Sequence, residues 1–460
     1  MKTERIFKAY DIRGTVPAEL DAQTAYELGR AMAHTQKPLR VAVGRDMRTH
    51  SPELAGAFAR GLIEGGTDVV DVGMCSTDAL YFAVGKYGYD GGVMVTASHN
   101  PPEYNGFKIC GREAVPYSND RELKAMRDLI RGGLPAPGTT RGRTEHKDIR
   151  QAYADHVLSM VDTSKIKPFK VVIDGGNGMA GTMLPPVLSR LPLKVTPLYF
   201  EPDGTFPNHP ASPIELENTE DLRRAVVAQG ADLGCAFDGD ADRMFLCDEQ
   251  GRMLGGDMVM CLVAQSLLSK DPHQTILYNL ICSQAVPDLI TRLGGKPVRT
   301  RVGHALIKPL MKEHGAVFGG EHSGHFYFRD HWFADSGLIA FLVALEVISG
   351  SKLPLSAQVA AFDPYVRSGE INTRVEDIPA TLKALEARYP GSRTDHLDGL
   401  TVWLADSWFN VRPSNTEPLL RLNVEAQSAD ILKARTEELL TLIRGRSKGG
   451  LQVEEDSRSR

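Results

Sequence analysis

Four short stretches of this 460-residue chain carry side chains that could do chemistry. The first is Thr96-Ala97-Ser98-His99-Asn100-Pro101-Pro102, which runs on through Glu103-Tyr104-Asn105-Gly106-Phe107 to Lys108. The apolar run 93–95 ahead of it predicts a short buried strand, and the proline pair stiffens the loop after that strand. Ser98 therefore sits at a strand tip on a turn of fixed shape. Many loop serines only satisfy backbone groups. A hydroxyl acts as a nucleophile when a metal, a base or cations flank it, and His99, Asn100 and Lys108 share this loop.

The second stretch is Asp238-Gly239-Asp240-Ala241-Asp242-Arg243. Carboxylates at alternating positions repel unless a cation neutralises them. Hard oxygen donors on a short loop suit Mg²⁺, which takes few protein ligands and adds phosphate oxygens. An EF-hand lacks its continuation here, and a solvated acidic turn is the bland alternative, disfavoured by the apolar run 233–237 just before. Arg243 beside the metal loop can hold a phosphate in a planar fork.

The third stretch, Gly319-Gly320-Glu321-His322-Ser323-Gly324-His325, puts a carboxylate, a hydroxyl and imidazoles among glycines, which suits a polyol. A metal reading of the histidines has no cysteine and no H-E-x-x-H helix behind it. The fourth, Arg412-Pro413-Ser414-Asn415-Thr416-Glu417-Pro418, joins two strand-like runs. It is either a plain hairpin connection or a phosphate cradle. Near the start, Tyr10 and Arg13 lie in a polar patch before Gly14, with Arg13 placed to meet an anion.

The elements that must position these loops alternate. Helices are predicted over 22–34, 51–65 and 79–87, with strands at 39–43, 68–72 and 93–95. Such alternation indicates an α/β unit with a mostly parallel sheet, whose ligands meet the carboxyl ends of its strands. Residues 133–143, rich in Gly, Pro and Thr, read as a linker, and 151–161 as a bridging helix. A second unit comes next, with a strand at 170–173, a glycine-rich turn at 174–181 that does not fit a dinucleotide fingerprint, a polar loop at 201–218 and a helix at 220–229. A third starts near Gln250, with helices at 257–268, 284–293 and 305–314, strands at 275–281 and 297–301, and a stretch 332–347 that turns from polar to apolar helix. Beyond Asp363 the strands come close together, at 368–375, 401–404, 408–412 and 419–424, with helices at 381–389 and 428–442. This predicts a small α+β unit with an antiparallel sheet.

The expected fold class is therefore α/β: three successive α/β domains of similar topology with mostly parallel mixed sheets, plus a smaller C-terminal α+β domain, around a central cleft. The expected bounds are 1–145, 146–249, 250–363 and 364–447, with a frayed tail at 448–460.

Composition excludes several functions. The chain is 42% hydrophobic and 24% charged with a net charge of −5 and scattered basic residues, so no nucleic-acid surface is expected. No apolar run is long enough to span a bilayer. The N-terminus lacks a signal-peptide core, and six cysteines without a C-x-x-C pair oppose a disulfide framework. A cytoplasmic enzyme with no membrane partner, monomeric or homodimeric, is expected.

A nucleophile loop, a Mg²⁺ loop, a polyol loop and a phosphate cradle together suit phosphoryl transfer on a phosphorylated sugar, which depends on positioning and charge neutralisation. The four loops, with Tyr10-Asp11-Ile12-Arg13-Gly14 and Gly303-His304, resemble the α-D-phosphohexomutase family in order along nearly the whole chain. That resemblance implies interconversion of hexose 1-phosphate and hexose 6-phosphate, mannose and glucose among them, through a phosphoserine and a hexose 1,6-bisphosphate. By it, Ser98 carries the phosphoryl group. Asp238, Asp240 and Asp242 hold Mg²⁺ with the phosphoserine, and Arg243, Lys108 and His99 steady the transferring phosphate. Tyr10 and Arg13 line the substrate site. His304 or His325 is the general acid/base, Glu321 and Ser323 read sugar hydroxyls, and Arg412, Ser414, Asn415 and Thr416 hold the distal phosphate. Dual-specificity members of the family usually carry Met where this chain has His322. Phosphoglucosamine and N-acetylglucosamine phosphate mutases are sibling readings. A Mg²⁺-dependent serine phosphatase and a sugar-phosphate sensor are the readings from other classes.

Overall fold

The computed structural model describes residues 2–8, 10–414 and 419–445. The first domain supplies β1 (Ile12–Thr15), β2 (Arg40–Arg45), β3 (Asp68–Met74), β4 (Gly91–Val95), β5 (Tyr104–Gly111) and β6 (Thr144–His146). They form one sheet in the order β1-β5-β4-β2-β3-β6. β2, β3, β4 and β6 are joined by parallel pairings, while β5 runs antiparallel to both β4 and β1. Every residue of β4 is buried, as expected for a strand covered on both faces. Val93 and Val95 face a core with helices Ala22–Gln36 and Ser51–Glu64, whereas Met94 faces helix Thr77–Tyr87. This sandwich pins the strand tip from which the Ser98 loop departs.

The second sheet holds β7 (Lys170–Asp174), β8 (Lys194–Leu198), β9 (Leu233–Phe237) and β10 (Met244–Asp248), in the order β10-β9-β7-β8, with only β10 antiparallel to its neighbour. The third holds β11 (Thr275–Asn279), β12 (Lys296–Thr300), β13 (Phe318–Gly320), β14 (Phe326–Phe328) and β15 (Ala334–Asp335), in the order β12-β11-β13-β14-β15, parallel as far as β13 and antiparallel beyond it. The last comprises β16 (Val366–Arg374), β17 (Arg393–Asp395), β18 (Leu400–Trp403), β19 (Ser407–Pro413) and β20 (Leu419–Ala426), all antiparallel in the order β16-β20-β19-β18-β17. The architecture is that of successive α/β domains with mixed sheets around a central cleft, the last antiparallel.

One apolar core runs through the first three domains, from helix Thr77–Tyr87 through helix Arg150–Ser159 to helix Gly337–Ser349. In that last helix Leu338, Ile339, Phe341, Leu342 and Leu345 are all buried, each worth about 1.5–3 kcal/mol relative to exposure. Ser336 caps it by accepting from Ile339 N, and its hydroxyl donates to Asp78 Oδ2 of the first domain at 2.5 Å. The C-terminal domain has a separate core of its own.

Several sequence expectations need correction. Lys108 lies on β5, in register with Met94, rather than in the serine loop. Residues 133–143 are a loop within the first sheet's span, because β6 returns to pair with β3. The polar start of the stretch 332–347 holds β15 at 334–335, and its apolar helix runs from Gly337. The strand expected over 408–412 is β19, which runs one residue further at each end and so takes Pro413 out of the expected loop. Helix Glu122–Gly132 and strands β10, β14, β15 and β17 went unpredicted.

Candidate active site

The serine loop leaves β4 at Val95 and turns sharply. Ser98 is buried with φ = 50°, a left-handed conformation that costs a non-glycine residue about 1–2 kcal/mol. Local bonds hold it there: Ser98 N donates to Thr96 Oγ1 at 2.8 Å, and Ser98 O accepts from Arg48 Nη2 at 2.8 Å. The metal loop leaves β9 at Phe237 and meets it directly. A Cβ added to Gly239 would lie 2.5 Å from Ser98 O, so the second loop can approach only because glycine stands there.

Ser98 Oγ donates to Asp238 Oδ2 at 2.7 Å and lies 3.1 Å from His99 Nδ1. Lys108 Nζ reaches down from β5 to Asp240 Oδ2 at 2.7 Å and Asp242 Oδ2 at 2.5 Å. Arg243 donates through Nη2 to His99 Nδ1 at 2.9 Å, and its backbone N–H to Asp238 Oδ1 at 3.1 Å. His99 Nδ1 is thus an acceptor. The Arg243 charge, burial and Arg13 hold its imidazole well below the ordinary value, so it stays neutral. Burial opposes the Lys108 charge, but Asp240, Asp242 and Asp238 outweigh it and raise the ammonium pKa.

Asp238, Asp240 and Asp242 are all buried, and each offers an oxygen within 4.8 Å of the others. Burial and the other two carboxylates push Asp238 up, marking a local deficit of positive charge. Asp240 Oδ1 and Asp242 Oδ1 are buried without a hydrogen-bond donor among the described residues. Unpaired buried carboxylate oxygens are costly, and these fit a divalent cation with oxygen ligands.

The polyol loop joins this centre. Arg243 and His325 form an antiparallel backbone bridge, and His325 Nδ1 lies 3.9 Å from Asp242 Oδ1. The same Nδ1 is 2.8 Å from Asp335 Oδ2, and Lys308 Nζ sits 3.1 Å from Asp335 Oδ1. Burial and Arg243 disfavour the imidazolium, but Asp242 and Asp335 leave its pKa raised. Glu321 is buried and held by Tyr327 Oη at 2.6 Å, Asn279 Nδ2 at 3.3 Å and Gly303 N at 3.2 Å. Carboxylate oxygens retain further lone pairs for a ligand hydroxyl. Ser323 and His322 are half-buried, and His322 Nδ1 lies 3.7 Å from Asp257 Oδ2. A Cβ on Gly303 (φ = 140°) would come within 3.5 Å of Tyr10 Oη, placing the N-terminal patch beside this loop. Arg13 bridges Asn100 Oδ1 and Asp11 Oδ2, both at 2.5 Å.

Ser98, His99, Lys108, the three aspartates, Arg243 and His325 therefore form one constellation. Arg412 is not joined to it by any described bond; its Nη2 donates to Glu370 Oε2 at 2.5 Å within its own domain. Ser414 lies two residues further on, whereas Asn415, Thr416 and the His304 side chain lie outside the described residues. Sequence reading missed Thr77, whose hydroxyl donates to Asp240 Oδ2 at 2.5 Å, and also Asp335, Lys308 and Arg48. Thr77 and Asp335 carry no local signal; proximity alone assigns them.

Residues 4–131, 151–251 and 255–365 match domains I, II and III, each alpha/beta/alpha, of the phosphoglucomutase/phosphomannomutase family, and 370–442 match its C-terminal domain. The chain belongs to the α-D-phosphohexomutase family. It is an isomerase of the phosphomannomutase/phosphoglucomutase type. It is 40% identical to a phosphomannomutase of Salmonella montevideo over 451 residues, covering 95% of this chain and 98% of that protein. It is also 40% identical to phosphohexose mutases of Xanthomonas campestris, over 95% of this chain and 99% of theirs. A crystal structure of a phosphoglucomutase/phosphomannomutase family protein from Burkholderia thailandensis superposes with a TM-score of 0.89 at 33% identity, covering 98% of this chain and 99% of that one. Among the described residues no helix is long and apolar enough to cross a membrane.

Proposed function

We propose that the protein interconverts hexose 1-phosphate and hexose 6-phosphate, with mannose and glucose as sugars, through a phosphoserine at Ser98 and a hexose 1,6-bisphosphate. The observation that carries this reading is the Ser98 hydroxyl donating to Asp238 within a buried three-carboxylate cluster.

Asp238, Asp240 and Asp242 would hold Mg²⁺ with a phosphoserine oxygen, and the bound ion would offset charge on the transferring phosphate. The chain's own groups do the rest. Arg243 presents its guanidinium beside Ser98 and Lys108 adds a second buried cation, so the phosphate meets preorganised charge. Burial of Ser98 keeps water from competing with the sugar hydroxyl. His325, oriented through Nδ1 by Asp335, exchanges the proton of the attacking or leaving sugar oxygen. Glu321 and Ser323 accept sugar hydroxyls, and Arg412 with Ser414 takes the phosphate that is not reacting. The names of the similar phosphomannomutases favour mannose phosphates.

The test is conversion of mannose 1-phosphate to mannose 6-phosphate, assayed with inorganic phosphate release. Isomerisation without release, together with a phosphate on the Ser98 peptide by mass spectrometry, is expected. Stoichiometric phosphate release would instead indicate a phosphatase. Glucose and mannose phosphates are expected to react within about tenfold of each other, roughly 1.4 kcal/mol; a thousandfold preference would count against both sugars being substrates.

A further inference from the structure

Among the largest fully buried side chains is an arginine outside the constellation just described. Arg48 lies three residues beyond β2, at 0% exposure, and spends its guanidinium on backbone carbonyls of the serine loop. Nη1 donates to Pro101 O at 2.7 Å and Tyr104 O at 2.9 Å. Nη2 donates to Ser98 O at 2.8 Å and Asn100 O at 2.6 Å. Nε lies 3.3 Å from Asp46 Oδ2. Asp46 is itself fixed, because its Oδ1 accepts from Ser51 Oγ at 2.5 Å and from Arg48 N at 3.0 Å.

The second domain closes over this side chain. The Phe206 ring centroid is 5.1 Å from Arg48 Cζ, and a Cβ on Gly204 would lie 2.5 Å from Arg48 Cα. The polar loop 201–218, which the transfer chemistry leaves without a role, therefore packs on the arginine that ties down the serine loop.

We propose that Arg48 is a positioning residue for phosphoryl transfer: it sets the left-handed turn at Ser98 and thereby the aim of its hydroxyl at Asp238. Four carbonyls converging on one point would repel one another and could not hold a strained turn. A planar fork of fixed donors answers all four and is charge-balanced by Asp46. An ammonium has three donors from a single point and cannot span them. Because the guanidinium touches neither phosphate nor sugar, its loss should lower turnover while leaving sugar-phosphate binding nearly intact. The inference rests on Ser98 being the phosphate carrier.

The experiment compares wild type, Arg48→Lys and Arg48→Ala. It measures kcat, KM, thermal melting, and the rate at which radiolabelled hexose 1,6-bisphosphate transfers its phosphate to Ser98. Arg48→Lys, folded by its melting transition, is expected to lose at least a hundredfold in kcat and in Ser98 labelling, with KM within threefold. Guanidinium ion at non-denaturing concentration is expected to restore labelling of Arg48→Ala at least tenfold, and urea to restore none. Folded Arg48→Lys labelling at the wild-type rate overturns the inference. So does a loss that matches the unfolded fraction in both variants, because that is scaffolding alone. If wild type itself never labels at Ser98, the phosphoserine reading fails first and the inference with it; label on wild type with unimpaired variants removes only the inference.

Discussion

The junction between the first two domains and the junction between the last two are built from different materials. At the first, an apolar core continuous across the domains surrounds buried polar contacts: Ser98 bonds Asp238, Lys108 pairs with Asp240 and Asp242, and the two loops touch backbone to backbone at Gly239. At the second, the two cores are separate and partly exposed ionic side chains do the joining. Arg299 on β12 reaches Thr401 Oγ1 at 2.7 Å and Asp395 at 3.1 Å, with its guanidinium over Trp403. Gln284 N donates to Glu425 Oε1 at 2.9 Å, and Arg367 lies between Glu425, Asp363 and Asp257. Charge pairs sealed inside a core hold one geometry, whereas partly exposed ion pairs can exchange one anion for another. The proposed reacting end is thus preassembled, and the domain proposed to hold the distal phosphate is joined through partly exposed ion pairs. Arg412, proposed to take the distal phosphate, is paired with Glu370 inside the C-terminal domain.

Substitutions can break this contrast. Ser98→Ala should lower turnover by about 10⁴-fold or more while moving the melting temperature by only a few degrees; turnover near the wild-type rate would remove the rigid centre from the chemistry. Asp240→Asn should cost about 10²–10³-fold in kcat at saturating Mg²⁺. Isothermal titration should show weakened Mg²⁺ binding, and unchanged binding would mean that the cluster does not hold the ion. Arg367→Met strands Glu425 in a buried position and should destabilise the C-terminal domain by about 3 kcal/mol, read as an earlier, separate unfolding transition. A single transition at the wild-type temperature would show the two junctions to be equivalent. Arg412→Lys should raise KM for the sugar phosphate about tenfold, about 1.4 kcal/mol, with a smaller change in kcat; an unaltered KM would sink its role with the distal phosphate.

The smallest effect concerns pH. His156 Nε2 and His331 Nδ1 meet at 3.0 Å where helix Arg150–Ser159 packs on the third domain. Burial, then Lys86, lowers His156 to about 4; burial, then the His156 charge, lowers His331 to about 3. In the unfolded chain both take a proton near pH 6.5, so from there downward the unfolded state binds more protons. Their contribution to stability is complete above about pH 6.5 and erodes as pH falls toward 4. His331→Phe should flatten the slope of unfolding free energy between pH 6.5 and 5 by up to about 1.4 kcal/mol per unit. Urea denaturation at each pH reads it, and parallel slopes would contradict it.

Much of the fold was legible in the sequence. The helix at 220–229 and the strand beginning at Lys170 stand as expected, because long amphipathic periods and β-branched runs are local signals. The antiparallel strands β10, β14, β15 and β17 were not. Pairing of β14 and β15 involves two- and three-residue segments whose partners, not their own sequence, make them strands. Lys108 looked like part of a loop because its strand comes so soon after the turn. In the site, residues inside motifs were visible, but Thr77, Asp335 and Lys308 join from distant segments, and only folding makes them neighbours. Arg48 looked like one more charge after a strand, since nothing local marks an arginine whose partners lie some fifty residues away.

The backbone bridge between Arg243 and His325 limits how such a protein can be recombined. Gly324 lies against the Phe245 ring and Met244 O, and Gly337 against Arg243 C and O, so the third domain is laid onto the backbone of the second. The internal repetition suggests interchangeable parts, yet grafting the proposed sugar loop from a relative would carry this docking seam along. Exchange confined to 321–323 keeps the seam, whereas replacing the whole domain must preserve the small residues at 324 and 337 or lose the alignment of the metal loop. On the proposed reading of Glu321 and Ser323, the seam leaves 321–323 as the window in which sugar preference can be exchanged.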